Sequence, residues 1–453
     1  MDLLNPIDAI FLAAETREHP MHVGGLQVFE PPADAGEDFV RELYAGLSGA
    51  TEVRSRFRRR PRKLLGNLTN VSWAHDDRID LGYHLRRCAL PAPGGEAELL
   101  DLTARLHATP LDRNRPLWEG RIIEGLRGDR FGVYVKIHHA LMDGVSALRL
   151  LQRTCTEDPL DTRLRVPWTM GRDATDPDEA PNVWDQLRGI APRLLTSVGA
   201  GAATLRAVRE GRLELPMSAP PTMLNVPVGA ARDVAVGSFP IERVQAVRKA
   251  TGTTVNDVVL ALSAAALRAY LLERNALPDK PLTAMVPVNL RRETDADSDG
   301  NMVAALLCNL GTDIADPVAR LHTISESMRR SKEVFAQLPP LEAVALSALL
   351  LSPLPLVFAP GFQALPRVPF NVVISNVPGP RKPVYLQGAR LESNYPLSIP
   401  FDGQAMNITV TSTADNLDFG LVGCRRSVPD LSRFIGHIET ALREMEAAAC
   451  ARV

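Results

Sequence analysis

Cysteine is scarce in this 453-residue chain. Its five residues, Cys88, Cys155, Cys308, Cys424 and Cys450, stand far apart with no CxxC pair. That spacing argues against a zinc site or a disulfide framework and fits a reducing, cytoplasmic setting. Net charge is almost absent as well, at −2, so no bulk attraction to nucleic acid is expected. The opening MDLLNPIDAIFLAAE carries Asp2 and Asp8 and no basic run, so it reads as a short cap and helix and no signal peptide is expected. GxSxG elbows and papain-like cysteine sequences are missing, and so is any short internal repeat. What remains is 45% hydrophobic and 23% charged, a globular composition in a chain long enough for two domains.

One stretch lacks charge altogether. Ala343 to Pro366 has no charged residue over 24 positions, long enough to cross a bilayer. Pro353, Pro355 and Pro360 interrupt it, and each removes a helical hydrogen bond that hydrocarbon cannot replace. A buried helical hairpin is therefore expected, with a lipid-facing surface as the alternative. Charge of one sign is concentrated elsewhere, in Arg54, Arg56, Arg58, Arg59, Arg60, Arg62 and Lys63 around Phe57. A solvated face, a site for phosphate groups and an anionic membrane contact all fit that run. Nucleic-acid stacking does not, for want of interleaved aromatics.

The strongest pattern is Phe131 to Leu150, FGVYVKIHHALMDGVSALRL. Phe131 to Ile137 alternate as a buried strand does, and Val145, Leu148 and Leu150-Leu151 repeat at helical spacing. Between them lie His138, His139, Asp143 and Gly144. A neutral imidazole with an ordinary pKa of about 6.5 can take a proton from a hydroxyl, amine or thiol near neutral pH. Of two adjacent residues at a strand end, one faces the cleft and the other the core. Asp143 could fold back to hold the loop through an arginine or a backbone donor, to orient an imidazole, or to cap the next helix. Gly144 would permit a tight turn. HHxxxDG has four fixed positions, and its chance occurrence in a chain of this length is on the order of one in a thousand.

Around this centre the chain reads as two mixed α/β units. Strands are expected at His22 to Glu30, Tyr83 to Ala89, Trp118 to Ile123, Val234 to Ile241, Leu282 to Asn289, Phe370 to Asn376, Ala405 to Ser412 and Leu417 to Gly423. Helices are expected at Gly95 to Thr109, Val255 to Arg274, Pro317 to Phe335 and Leu431 to Glu446. Asp158 to Val183 lacks periodicity and reads as a linker, Trp184 to Arg212 as a broken helical pattern. The expected division is an N-terminal domain 1–157, a linker and crossover helix 158–215, and a C-terminal domain 216–453. Only the first half carries HHxxxDG, which excludes a symmetric pair of sites.

HHALMDG resembles the signature of acyltransferases built like chloramphenicol acetyltransferase and of peptide-synthetase condensation domains. LNPIDAIFLAAETREHPMHVGGLQVFE at Leu4 to Glu30, RPLWEGRIIEGL at Arg115 to Leu126, TVNDVVLALSAAALRAYL at Thr254 to Leu271 and FNVVISNVPGP at Phe370 to Pro380 narrow it. In that order they resemble the bacterial wax ester synthase/diacylglycerol acyltransferases. The resemblance implies two chloramphenicol-acetyltransferase-like domains with mixed sheets flanked by helices and an active-site tunnel between them. It implies that His139 is the general base, with His138 and Asp143 beside it. It implies acyl transfer from long-chain acyl-CoA, a co-substrate rather than a resident cofactor, to a fatty alcohol or diacylglycerol. No metal is expected, and the place of action would be the cytoplasmic membrane face or a lipid droplet. Asn256-Asp257 caps a helix on one reading; in the family the matching pair borders the acyl channel, where Asn256 could donate to the thioester oxygen. Where many relatives have a Ser-Tyr pair, this chain has Ser412-Thr413-Ala414-Asp415, which leaves a tyrosine contact there in doubt. Transfer to a polyketide alcohol or carrier-bound acceptor, and a non-catalytic lipid-coating role, are the competing expectations.

Overall fold

The computed structural model describes residues 4, 6–64, 69–170, 214–289, 303–338, 343, 346–347, 349–350 and 366–450. The crossover pattern Trp184 to Arg212 and eighteen of the 24 charge-free positions therefore lie outside the described residues. Among the described residues two six-stranded mixed sheets carry the fold. The first uses β1 (His22–Glu30), β4 (Leu85–Ala89), β5 (Trp118–Glu124), β6 (Phe131–His138), β11 (Tyr385–Leu386) and β12 (Ala389–Leu397), ordered β11-β12-β1-β6-β5-β4. The second uses β7 (Arg232–Pro240), β8 (Thr283–Asn289), β9 (Val303–Asn309), β10 (Val372–Val377), β13 (Met406–Ser412) and β14 (Asn416–Cys424), ordered β7-β14-β13-β10-β8-β9. A separate ribbon joins β2 (Arg59–Leu64) to β3 (Thr69–His75).

Local signals explain most of these elements. Helix Val255–Leu272 starts at a capping box, in which Thr254 and Asp257 satisfy each other's backbone N–H groups. The preceding helix, Ile241–Thr251, ends at Gly252 in the left-handed region, φ 66°. Val255–Leu272 is apolar enough to span a membrane by length and composition, yet thirteen of its residues are buried in the second half's core. Two expectations shift. The strand expected from Tyr83 starts as the helical turn Leu81–His84, because the Asp80 side chain caps it at the N–H of Tyr83. The basic run also does more than coat a surface, since Arg59 to Leu64 pairs with Thr69 to His75 as a β-ribbon.

The chain also crosses back. β12, from beyond residue 385, pairs antiparallel with β1 from Gly24↔Leu397 to Glu30↔Arg390 and so completes the N-terminal sheet. Its other side rests on β13 and β14. At Gly420 of β14 an added Cβ would lie 2.0 Å from the carbonyl oxygen of Pro396, so only glycine allows so close a crossing. Leu26, Val28, Leu99, Tyr134, Val234, Val236, Leu397 and Val422 form one buried cluster drawn from both halves. Burying apolar area contributes roughly 25 cal/mol per Å², so a shared cluster couples the two sheets energetically.

A buried carboxyl sits in the same seam. Asp418 is fully buried and accepts from Ser238 Oγ at 2.6 Å and from the Asn394 N–H at 2.9 Å. Burial pushes it up from 3.8 to about 7, against those hydrogen bonds. A carboxyl that holds its proton more tightly when folded lowers stability as pH rises between those two values. Asp418→Asn removes that titration, so the variant should gain on the wild type in thermal denaturation between pH 5 and pH 8. Parallel stability curves over that range would show that Asp418 is already ionised in the fold.

Candidate active site

β6 delivers the histidine pair, and the hydrogen bonds around it give the two rings different roles. His138 ends the strand, fully buried, opposite His22 of β1. Its Nδ1 accepts the N–H of Ala140 at 3.0 Å, which leaves the proton of a neutral ring on Nε2. Nε2 faces Glu15 Oε1 at 3.4 Å. The lone pair of His138 is thus spent on Ala140, and its Nε2 stands within ion-pair distance of the Glu15 carboxylate. His139, one residue on, is half-buried, and its backbone N–H donates to Met21 O at 2.8 Å. Its ring stacks on Phe11, centroids 4.1 Å apart and 23° from parallel. Burial lowers its pKa below 6.5; the Asp143 charge and a ring hydrogen bond to its own backbone oppose this, while His138 adds to it. With its pKa lowered, the ring is neutral at pH 7, and a neutral imidazole keeps one nitrogen lone pair.

Asp143 serves as a helix cap. Its Oδ1 accepts the Ser146 N–H at 2.9 Å and its Oδ2 the Ser146 hydroxyl at 2.8 Å, which starts helix Gly144–Arg153. Of the ways it could hold the loop, the backbone donor is the one realised. Gly144 opens that helix without a positive φ, and a Cβ there would meet Val23 at an ordinary 3.7 Å. The turn therefore does not need glycine, contrary to expectation; the cap, rather than a strained backbone, reverses the chain. Arg56 adds a second restraint, donating through Nε and Nη2 to the Leu141 carbonyl at 3.1 and 3.0 Å. The turn Ser55–Arg58 that leads into the basic ribbon is by this contact an arm of the histidine loop.

Sequence reasoning passed over Phe11, Glu15 and Arg113. The available signal was a single acid just past an apolar helix, Glu15 after Pro6–Ala14. The polar residues behind β6 are core groups by comparison. His107 Nδ1 meets Tyr134 Oη at 3.0 Å, and Lys136 donates to the carbonyls of Leu106 and Thr109. Burial drives the His107 imidazole down to about 3 and the Lys136 ammonium to about 8. Among the described residues no three His, Cys, Asp or Glu side chains gather into a possible metal site.

The second-half residues divide similarly. Asp257 is spent on the capping box and on the Ser325 hydroxyl, 3.1 Å away. Asn256 is left over, its amide nitrogen buried with no partner among the described residues. Such a donor is costly to leave unmade unless a ligand uses it. The turn after β10 reaches the histidine helix, where Gln152 Nε2 donates to Pro378 O at 3.4 Å. Gly379 lies against Ser412, whose carbonyl oxygen would stand 1.8 Å from an added Cβ, and its N–H donates to the Ser412 hydroxyl at 3.1 Å. The motif Ser375-Asn376-Val377-Pro378-Gly379 is thus packed closely on Ser412 within the second half, and its Pro378 carbonyl meets the first half through Gln152.

The family model for the wax ester synthase/diacylglycerol acyltransferase catalytic domain matches residues 4–259, and that for the corresponding C-terminal domain residues 299–446. A Mycobacterium tuberculosis protein provisionally named a diacylglycerol O-acyltransferase is 54% identical over 98% of this chain and 99% of its own. The solved wax ester synthase/diacylglycerol acyltransferase of Marinobacter aquaeolei VT8 superposes with a TM-score of 0.80 at 39% identity, covering 99% of this chain and 100% of that one. The starter condensation domain of rhizomide synthetase shares the fold alone, with a TM-score of 0.60 at 14% identity over 99% of this chain and 94% of that one.

Removing the cap and removing the charge at Asp143 should have separable effects. Asp143→Ala should cost about 1 kcal/mol of stability and lower the His139 pKa further. Asp143→Asn should lower the pKa while keeping most of the cap. NMR titration of the His139 ring alongside thermal melting checks both; an unmoved titration in the two variants would mean the carboxylate does not act on the imidazole.

Proposed function

The chain belongs to the wax ester synthase/diacylglycerol acyltransferase family and is an acyltransferase; from that premise we propose that it moves a long-chain acyl group from acyl-CoA to the hydroxyl of a fatty alcohol or diacylglycerol, with His139 as general base. The observation that supports this most directly is the unequal bonding of the two histidines. His138 has no free lone pair, whereas His139 is half-buried, uncharged at neutral pH and not bound to a neighbouring side chain through any hydrogen bond among the described residues.

The proton of the acceptor hydroxyl passes to the His139 ring as its oxygen attacks the thioester carbonyl. The tetrahedral oxyanion then collapses, the carbon–sulfur bond breaks, and the imidazolium returns the proton to the departing coenzyme A thiolate. Asn256 supplies the donor for the oxyanion, a role worth about two to three powers of ten in comparable sites. The unspent amide nitrogen of that residue supports the assignment. Direct transfer in a ternary complex follows from the want of a nucleophile elbow, with acyl-CoA as co-substrate.

The products, wax ester or triacylglycerol, belong in lipid, and the reading extends to peripheral association with the cytoplasmic membrane face or a lipid droplet. Its support is the ribbon β2–β3 beside helix Pro6–Ala14. Pro61 is buried, so Arg60 and Arg62 occupy the opposite face of β2, and Ile10 on the helix is 60% exposed. Each arginine near an anionic surface contributes about 1 kcal/mol, screened by salt.

With palmitoyl-CoA and hexadecanol or diacylglycerol, the protein should release thiol and form ester. His139→Ala should lose at least about two powers of ten in turnover, and His138→Ala should retain more. Because the base is depressed, the acid limb of kcat/KM should fall below pH 6.5. No thiol release with any acceptor, or the reverse order of the two variants, would overturn the assignment.

The membrane reading has its own check. Arg60→Ser with Arg62→Ser should weaken binding to anionic vesicles at low salt while turnover of a soluble short-chain acyl-CoA stays near wild type. Undiminished vesicle binding would make the ribbon a solvated face.

A further inference from the structure

We propose that Glu15 is the positioning residue of the histidine loop: held by Arg113, its carboxylate joins His138 to Met21 and so sets where the His139 imidazole stands. The inference rests on the reading of His139 as the base, but its geometry is independent of it. Glu15 follows helix Pro6–Ala14 and continues its bonding, donating its N–H to the Phe11 carbonyl at 3.1 Å. Only 4% of its side chain is exposed. Oε1 accepts the Met21 N–H at 3.1 Å and lies 3.4 Å from His138 Nε2, while Oε2 accepts Arg113 Nε at 2.8 Å. Arg113 also donates to the Leu12 carbonyl, which ties it to the same helix.

Two lines of bonding run from this carboxylate to His139. One passes through His138, whose Nδ1 holds the N–H of Ala140 on the far side of the base. The other passes through Met21, whose carbonyl takes the N–H of His139 itself. Phe11, one helical turn before Glu15, adds the stacking face for the ring. Backbone on both sides of the base, and the ring face, are thus all referred to one helical turn. Burial alone would raise the Glu15 pKa, yet His138 and Arg113 hold it near 2, so the carboxylate is charged at any working pH. A carboxylate there accepts from Met21 and Arg113 and keeps its charge beside His138; an amide can accept on one side only and turns an N–H toward Arg113 or His138 on the other.

The test uses the full chain and two readouts. In long-range ¹H–¹⁵N NMR the wild type should show His138 as a single Nε2–H tautomer. Glu15→Gln should give a mixture and shift the His139 ring signals. Turnover per folded molecule should fall about tenfold to a hundredfold, as displacement of a reacting group does, with KM for palmitoyl-CoA within about twofold. Glu15→Asp, which keeps the charge, should recover part of the turnover and most of the tautomer signal. If Glu15→Gln does not fold, Arg113→Lys reads the same coupling through the tautomer. An unchanged His138 tautomer, or wild-type turnover in folded Glu15→Gln, overturns the proposal. Should His139 prove not to be the base, the activity arm fails while the NMR arm still decides whether Glu15 places the loop.

Discussion

The pairing of β1 with its two neighbours is the constraint on which the rest depends. On one side β1 pairs with β6 from His22↔His138 to Phe29↔Phe131; on the other it pairs with β12. The first pairing brings Met21 to the histidine loop, where its carbonyl and N–H bond His139 and Glu15. The second draws a strand from the far end of the chain into the N-terminal sheet and holds the second sheet against it. A slip of one residue would turn His138 from the core to the opposite face and undo both lines of support at once.

Within that frame hydrogen bonds, rather than residue type, separate two adjacent histidines. Identical side chains differ because Ala140 and Glu15 engage both nitrogens of His138, whereas His139 has its backbone anchored and its ring packed on Phe11. Burial depresses the His139 pKa, and the nearby Asp143 limits how far it falls. The result is a neutral, oriented imidazole, which general base chemistry requires. Asp143 influences it through charge while its oxygens cap a helix, so one residue serves both the local turn and the electrostatics of the site.

The joint between the halves is built from close backbone approaches. Gly420 beneath Pro396 and Gln152 reaching the Pro378 carbonyl are two of them. Polar contacts join in, with His19 Nε2 2.9 Å from Asp402 Oδ1, and Arg232 donating to the Glu18 carbonyl. Both contacts involve the segment that leads from Glu15 to β1. The halves therefore meet where the histidine loop is held, and the signature after β10 marks a structural joint beside the site.

Period and punctuation were enough to place most strands and helices. β1 follows the expected His22 to Glu30, β6 ends at His138, and helices at 96–108, 255–272, 317–337 and 433–450 lie where apolar spacing and caps put them. The histidine motif, the family and the place of the base candidate were likewise legible, because each is carried by residues adjacent in the chain. β12, the β2–β3 ribbon and the Glu15–Arg113 clamp were not. Ala389 to Leu397 contains a proline and gains its stability from a partner more than 350 positions away, and no local period records such a pairing. Glu15 and Arg113 are ordinary charged residues until folding buries them 2.8 Å apart. Sequence by itself determined the local elements and the chemical groups available, since these depend on nearest neighbours. Tertiary structure alone decided which histidine keeps a free nitrogen, because burial and hydrogen-bond partners come from strands and helices distant in the chain.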